Sequence, residues 1–332
     1  MDCPTVSIII PCYNAEEYIE RAIASVYAEE YPSVELIVVD DGSTDGSKDL
    51  ILSWEERFCA KNWELRYVYQ ENKGPGGAIN TGLKHVSGEY LSLLDADDEY
   101  LPGAISKRAA FLQENPDVDV VRSNGWIVKG EHRRLFVFCE KEKQCTDIFV
   151  LLLRGETNNW AGSYMMKTEA LFAFYPNKEI YTSRYGQNLQ LLLPLAYKKR
   201  CGFIDQPLMN YIQRSDSVSQ VSNPKESLRK NMENAAGYKD IRVHMLQRIV
   251  NDKKRFDLYM RQIDAGYWKG ILRIAGRHHA NELLREAYQK LKALEKPSWD
   301  DAMVYYHEVC PPVTILLRVW KKLLRWIGKT DD

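Results

Sequence analysis

The sequence has almost no net charge: 45 Lys and Arg stand against 46 Asp and Glu, leaving −1 over 332 residues. A protein that grips nucleic acid over a broad surface carries a basic excess, so nucleic acid is not an expected partner and any cationic surface is local. The seven cysteines, Cys3, Cys12, Cys59, Cys139, Cys145, Cys201 and Cys310, are odd in number and contain no CxxC pair. That spacing excludes a zinc ribbon and a thioredoxin-type motif, and the cysteines read as reduced thiols of a cytoplasmic protein. No apolar run reaches the about 20 residues that cross a bilayer. Met1-Asp2-Cys3-Pro4 offers neither a basic n-region nor an apolar h-region, so neither a membrane span nor a secretory leader is expected. An apolar share of 45% and a charged share of 27% are those of a globular chain. The length suits one large domain with an appendage.

The first third alternates strand and helix signals. Val6–Ile10, Val34–Val39, Leu65–Tyr69 and Tyr90–Leu94 are short β-branched or aromatic runs. Between them lie a helical pattern through Tyr18, Ile19, Ala22, Ile23 and Val26 with Asn14 as N-cap, a helix from about Asp45 to Arg57, and one opened by Gly74-Pro75-Gly76-Gly77 and ending near His85. Alternation of this kind predicts an α/β fold with a parallel, doubly wound sheet, whose ligands bind beyond the carboxyl ends of the strands. The middle third is less regular, with strands near 118–121, 125–128, 135–138 and 204–211 and buried helices at Thr146–Leu153 and Gln187–Tyr197, the second interrupted at Pro194. From about Asn223 helix formers dominate and two or three amphipathic helices cover Asn231–Leu294. The expected organisation is a catalytic domain over 1–220, a helical region over 221–312 and a basic amphipathic tail over 313–332.

Tyr13, Asp40, Asp41, Asn72, Asp95 and Asp97 all fall just after strands, which aims them at one crevice. Asp95-Ala96-Asp97 closes an apolar strand, and two carboxylates so placed can hold a hard divalent cation against phosphate oxygens. Asp40-Asp41-Gly42-Ser43 can accept hydrogen bonds from a base or a ribose hydroxyl, or form an Asx-turn that starts the next helix. Glu71–Asn80 matches neither a Walker A loop nor GxGxxG, which excludes those ATPase and dehydrogenase readings, yet its glycines allow a ligand near the helix start.

In order, Val6-Ser7-Ile8-Ile9-Ile10-Pro11-Cys12-Tyr13-Asn14, Val39-Asp40-Asp41-Gly42-Ser43-Thr44-Asp45-Gly46-Ser47, Asn72 with Gly74 and Asn80, Gly88-Glu89-Tyr90 and Asp95-Ala96-Asp97-Asp98 resemble the family-2 glycosyltransferases of GT-A fold. The resemblance covers roughly residues 5–215. It implies a Rossmann-like, mostly parallel sheet flanked by helices, and an inverting, nucleotide-sugar-dependent enzyme, most often UDP-linked. It places Pro11, Tyr13, Asn14, Asp40, Asp41, Asn72, Gly76, Asn80 and Asp95 at the nucleotide-sugar, and Asp97 with Asp95 on Mn²⁺ or Mg²⁺. Three positions depart from the family pattern. Ile79 stands where an Arg is common. Gly186-Gln187-Asn188 stands where the family carries its catalytic Asp, and an amide has no useful basicity. Arg214 stands where a His is common, and can clamp phosphate instead. With Asn188 left to orient the acceptor, Glu156 is the candidate base and Asp98 a further catalytic carboxylate.

The apolar residues between Leu316 and Ile327, interleaved with Arg318, Lys321, Lys322, Arg325 and Lys329, suit an anionic lipid interface. That points to a peripheral enzyme on the inner face of the bacterial cytoplasmic membrane, acting on a glycan or a polyprenyl-diphosphate-linked acceptor in surface polysaccharide synthesis. The competing reading of the tail is a helix docked on its own domain or on a second copy in a homodimer. The competing functional reading is a non-catalytic nucleotide-sugar or glycan-binding protein that has lost its base. His278-His279 reads as a helix surface, since adjacent helical residues diverge. Trp160 reads equally as a sugar platform or as core.

Overall fold

The computed structural model describes residues 3–214 and 224–314. The chain divides into two compact units, Met1–Leu152 with Thr157–Ser217, and Leu153–Glu156 with Val218–Asp332. The expected division at 220 did not include the return of 153–156 to the helical unit. Most of the expected tail, from residue 315 on, lies outside the described residues.

The first unit is built on one sheet of nine strands among the described residues: β1 (Val6–Cys12), β2 (Val34–Asp40), β3 (Glu64–Tyr69), β4 (Tyr90–Leu93), β5 (Glu99–Tyr100), β6 (Val120–Lys129), β7 (His132–Leu135), β8 (Tyr164–Lys167) and β9 (Cys201–Ile212). Their order is β3-β2-β1-β4-β8-β6-β9-β5, with β7 beside β6. β3, β2, β1 and β4 run parallel, as does β9 beside β6, whereas β8 joins β4 and β6 antiparallel. β1 and β2 are buried on both faces, which their unbroken β-branched runs foretell. The helix Ile19–Tyr27 packs Ile19, Ala22, Ile23 and Val26 inward, one stripe at 3.6-residue spacing. The glycine-rich helix Gly74–His85 lies close against β1: a Cβ on Gly82 would meet Ile9 Cγ2 at 2.6 Å, so only glycine permits the approach.

Four sequence expectations change. Asn14 does not cap a helix. Its backbone is left-handed at φ 46°, and its Oδ1 accepts from Thr44 N at 2.8 Å, so it ties the β1 end to the β2 loop while the helix begins at Ile19. The stretch 45–57 forms two short helices, Ser47–Leu52 and Glu55–Ala60. The strands expected at 118–121 and 125–128 are one strand, β6, and β7 ends at Leu135 instead of beginning there. Pro194 does not interrupt its helix, which runs Gln187–Ala196. The missing Pro194 N–H would have served the Gln190 carbonyl, and the Tyr175 hydroxyl donates to that oxygen instead at 2.8 Å.

The second unit holds the helices Pro224–Ile249, Lys253–Arg277, Asn281–Leu294 and Trp299–Val309 around a core that includes Ile271, Leu272, Leu284, Ala287 and Leu291. Asp252 caps the second helix through Arg255 N, and Ser298 with Asp301 forms a reciprocal capping box at the fourth. His278 faces Asn231 and His279 faces Glu308. No helix among the described residues is long and apolar enough to cross a membrane.

Candidate active site

Three strand ends and the loops after them build the site. β1 and β2 end in register, Cys12 opposite Asp40, so the parallel pair presents Tyr13-Asn14 beside Asp41-Gly42. Asp40 is buried and held at both oxygens: Oδ1 accepts from Ser43 N at 2.8 Å and Oδ2 from the Tyr67 hydroxyl at 2.6 Å. Asp41 accepts from Gln70 Nε2 at 2.5 Å and Lys73 N at 2.8 Å. Asp40 therefore closes the expected Asx-turn, and Asp41 holds the loop that carries Asn72. Gly42 has a left-handed backbone at φ 81°, and a Cβ there would meet Asn72 N at 3.0 Å, so a side chain would be strained. Asp40, Ser43, Lys48, Tyr67 and Tyr69 line a recess of about 380 Å³. Tyr13 and Tyr69 stand 54% and 59% exposed nearby in the fold, as rings that await a partner face do.

Beyond β4, Asp95, Asp97 and Asp98 crowd one turn. Asp98 is fully buried; its Oδ1 accepts from Ile212 N at 2.9 Å and its Oδ2 has no hydrogen-bond partner among the described residues. Burial, then the charges of Asp95 and Asp97, push the Asp98 carboxyl well above its ordinary range. Burial and the Asp97 charge likewise raise Asp95, to about 7. Two cations answer from outside the cluster. Arg21 Nη2 donates to Asp97 O at 2.7 Å, and Arg214 Nε lies 3.2 Å from Asp97 Oδ2 with its guanidinium over the Tyr18 ring.

The glycine-rich helix start is covered by the segment 180–186. Asn80 grips the Ile180 backbone from both sides, Nδ2 to Ile180 O at 3.0 Å and Ile180 N to Oδ1 at 2.8 Å. Gln190, fully buried, repeats the grip on Tyr181 at 2.9 Å in each direction. Gly76 lies against Ser183, where a Cβ would meet its carbonyl at 3.1 Å. Asn80 and Gly76 thus hold this strap. Asn188, just past it, accepts at Oδ1 from the Tyr164 hydroxyl at 2.5 Å.

Glu156 is engaged within its own unit. It sits in the helical unit, where Arg154 donates to it at 2.9 and 3.1 Å and Lys269 at 2.8 Å. Burial would raise its carboxyl, but those cations outweigh burial and hold it below the usual range. A carboxylate so neutralised is a poor proton acceptor. Trp160 is occupied too, with the Tyr211 ring stacked on it at 5.0 Å and Phe136 against its edge. Sequence reasoning missed Tyr67, Gln70, Arg21 and Tyr164. Tyr67 follows the alternation of β3, and the others carry no motif.

Residues 7–171 match the family described as Glycosyl transferase family 2. The chain belongs to the family-2 glycosyltransferases, with the GT-A fold. Among curated relatives, TuaG of Bacillus subtilis, named for teichuronic acid biosynthesis, is 38% identical over 112 residues, 33% of this chain and 43% of the relative. The chain spans less than half the length of the first curated relatives it matches. Among solved structures, Staphylococcus aureus TarS with UDP-GlcNAc superposes with a TM-score of 0.57 at 18% identity, covering 91% of this chain and 90% of that one. A mannosyltransferase of Pyrobaculum calidifontis with GDP-Man and Mn²⁺ superposes with a TM-score of 0.54 at 19% identity, covering 99% and 86%.

Proposed function

We propose that this chain moves a single sugar, with inversion, from a nucleotide-sugar to an acceptor oxygen in the making of a bacterial surface polysaccharide. The observation that carries the reading is the crowd of Asp95, Asp97 and Asp98 at the end of β4, with an orphaned buried oxygen on Asp98. Three carboxylates that repel one another are relieved by a hard divalent cation. No group of three or more acidic, His or Cys residues among the described residues makes a cage for a metal by itself, so Asp97 and Asp95 would hold one only with oxygens from elsewhere. Mn²⁺ or Mg²⁺ fits, with Asp97 and Asp95 as its holders. Bound there, it stabilises the charge on the leaving diphosphate.

The chain's own groups do the rest. Asp40, Asp41 and the recess beside Tyr69 take the base and ribose, UDP being the first expectation. Tyr13 covers them, and Arg214 meets the diphosphate from the end of β9. Asn188 touches the acceptor. The naming of TuaG for teichuronic acid biosynthesis supports a surface polysaccharide, and the basic tail supports an acceptor presented at a membrane. A binding protein without catalysis is the second reading, favoured by the amide at 188 and the neutralised Glu156. Nucleotide release from a panel of UDP- and GDP-sugars, with Mn²⁺ and with EDTA, decides between them. Turnover that needs the metal and falls by about 10²-fold or more in Asp97→Ala supports the enzyme; nucleotide binding without turnover supports the binder.

A further inference from the structure

On the reading above Asn188 is the residue that meets the acceptor, and its hydrogen bonding is polarised. Its Oδ1 is taken by the Tyr164 hydroxyl at 2.5 Å, and no described residue accepts from its Nδ2. Tyr164 is fully buried in β8, and its main-chain oxygen accepts from Ser92 Oγ of β4 at 2.7 Å, so the ring cannot swing away. Behind Asn188, the helix is pinned by Gln190 on the Tyr181 backbone and by the Tyr175 hydroxyl on Gln190 O. With its oxygen turned to Tyr164, the amide presents its N–H donors on the other side. A neutral hydroxyl that must lose its proton meets no base there. An oxygen that already bears negative charge meets a donor.

We propose that Tyr164 is a positioning residue that turns the Asn188 N–H toward the acceptor, and that the attacking oxygen is ionised before it arrives, a phosphate monoester being the chemistry that fits. The inference rests on the glycosyltransferase reading above and names its acceptor class. In the transfer, a lone pair of the phosphate oxygen forms the new bond to the sugar anomeric carbon as the bond from that carbon to the diphosphate breaks. The electron pair leaves with the nucleoside diphosphate, and no proton is taken from the acceptor. Arg184 stands exposed in the strap just before Asn188, in no ion pair among the described residues, and supplies a cation for such an anion.

The test uses the full chain with the best donor of the panel and two acceptors of one chain length, octyl phosphate and octyl β-glucoside. Octyl phosphate is expected to be used and the glucoside used at least tenfold less well. Asn188→Asp sets a negative charge against the phosphate and should raise its KM about tenfold or more. Tyr164→Phe frees the amide and should raise the KM for octyl phosphate with a smaller change in kcat, a split that simple loosening would not give. Should that variant misfold, Asn188→Ala takes its place with the same expectation. Preference for the glucoside, or an Asn188→Asp enzyme faster than wild type on it, overturns the proposal and leaves the glycosyltransferase reading standing. If wild type binds no nucleotide with Mn²⁺, that reading fails and this one falls with it.

Discussion

Glu156→Gln separates a catalytic from a structural carboxylate. In the helical unit the Glu156 side chain is 24% exposed and neutralises Arg154 and Lys269, themselves 10% and 17% exposed. Glutamine keeps the shape and removes the charge. Arg154 retains Glu295 at 2.7 Å, but Lys269 loses its one acidic partner among the described residues. Breaking a fully buried pair costs about 3–5 kcal/mol; with the remaining exposure and the amide's hydrogen bonding, about 2 kcal/mol is expected here. For a unit of about 120 residues that lowers its Tm by roughly 6–12 °C. The cost has a pH signature. The folded carboxyl titrates below its usual 4.5, so its contribution is present above that value and is lost as pH falls through the lower, folded one. Wild type and Glu156→Gln should therefore differ fully at pH 7 and converge toward pH 3. Calorimetric melts at both pH values, with kcat measured well below the melt, check this. A kcat about 10²-fold down with an unchanged Tm would refute the structural reading and restore Glu156 as the base.

Arg214→Ala removes a competitor for Asp97. A half-buried pair at 3.2 Å contributes about 1 kcal/mol net, so Mn²⁺ without nucleotide should bind about fivefold tighter while UDP binds more weakly; calorimetry showing weaker Mn²⁺ binding would contradict the pairing. Asn80→Ala deletes both grips on Ile180 and should cost about 1–2 kcal/mol, seen as faster hydrogen exchange confined to 180–186; unchanged exchange there would show that Gln190 suffices. Deleting residues 313–332 should abolish sedimentation with anionic phosphatidylglycerol vesicles at low salt. If the truncated chain still sediments, or loses its melt, the tail is not the lipid contact.

How far the sequence could be read depends on how local each cause is. β1, β2 and β4 declare themselves because a strand buried on both faces is mostly apolar, and the carboxylates after them are placed by chain direction alone. That part of the site was legible as residues. What they do to one another was not. Asp98 shares a motif with Asp97, yet its main-chain partner is Ile212, more than a hundred residues on. The helix Ala104–Glu114 escaped notice because Glu29 caps it, accepting from Gly103, Ala104 and Ile105 N across more than seventy residues, where a sequence reader looks for a neighbouring Ser or Asp. β8 escaped because Tyr164-Met165-Met166-Lys167 is short and half methionine.

The same distance in sequence explains why Asn188 was legible as an anomaly and not as a device. In the chain it is an amide where a carboxylate is expected, which reads as loss. In the fold, the Tyr164 hydroxyl fixes the oxygen end of that amide, and β8 is fixed in turn by its antiparallel ladder to β4, the strand that leads to Asp95. One rigid path therefore links the residues proposed to meet the leaving group to the residue proposed to meet the nucleophile. Asn80 and Gln190 are also amides, each spent on both polar groups of a backbone peptide, which is what a neutral side chain with one donor end and one acceptor end does well. Asn188 differs from them only in having one end spent on protein. A side chain pinned by its oxygen and open at its nitrogen is built for an acceptor atom that brings electrons and no proton, so the anomaly at 188 and the proposed ionised acceptor are one statement made first in sequence and then in geometry.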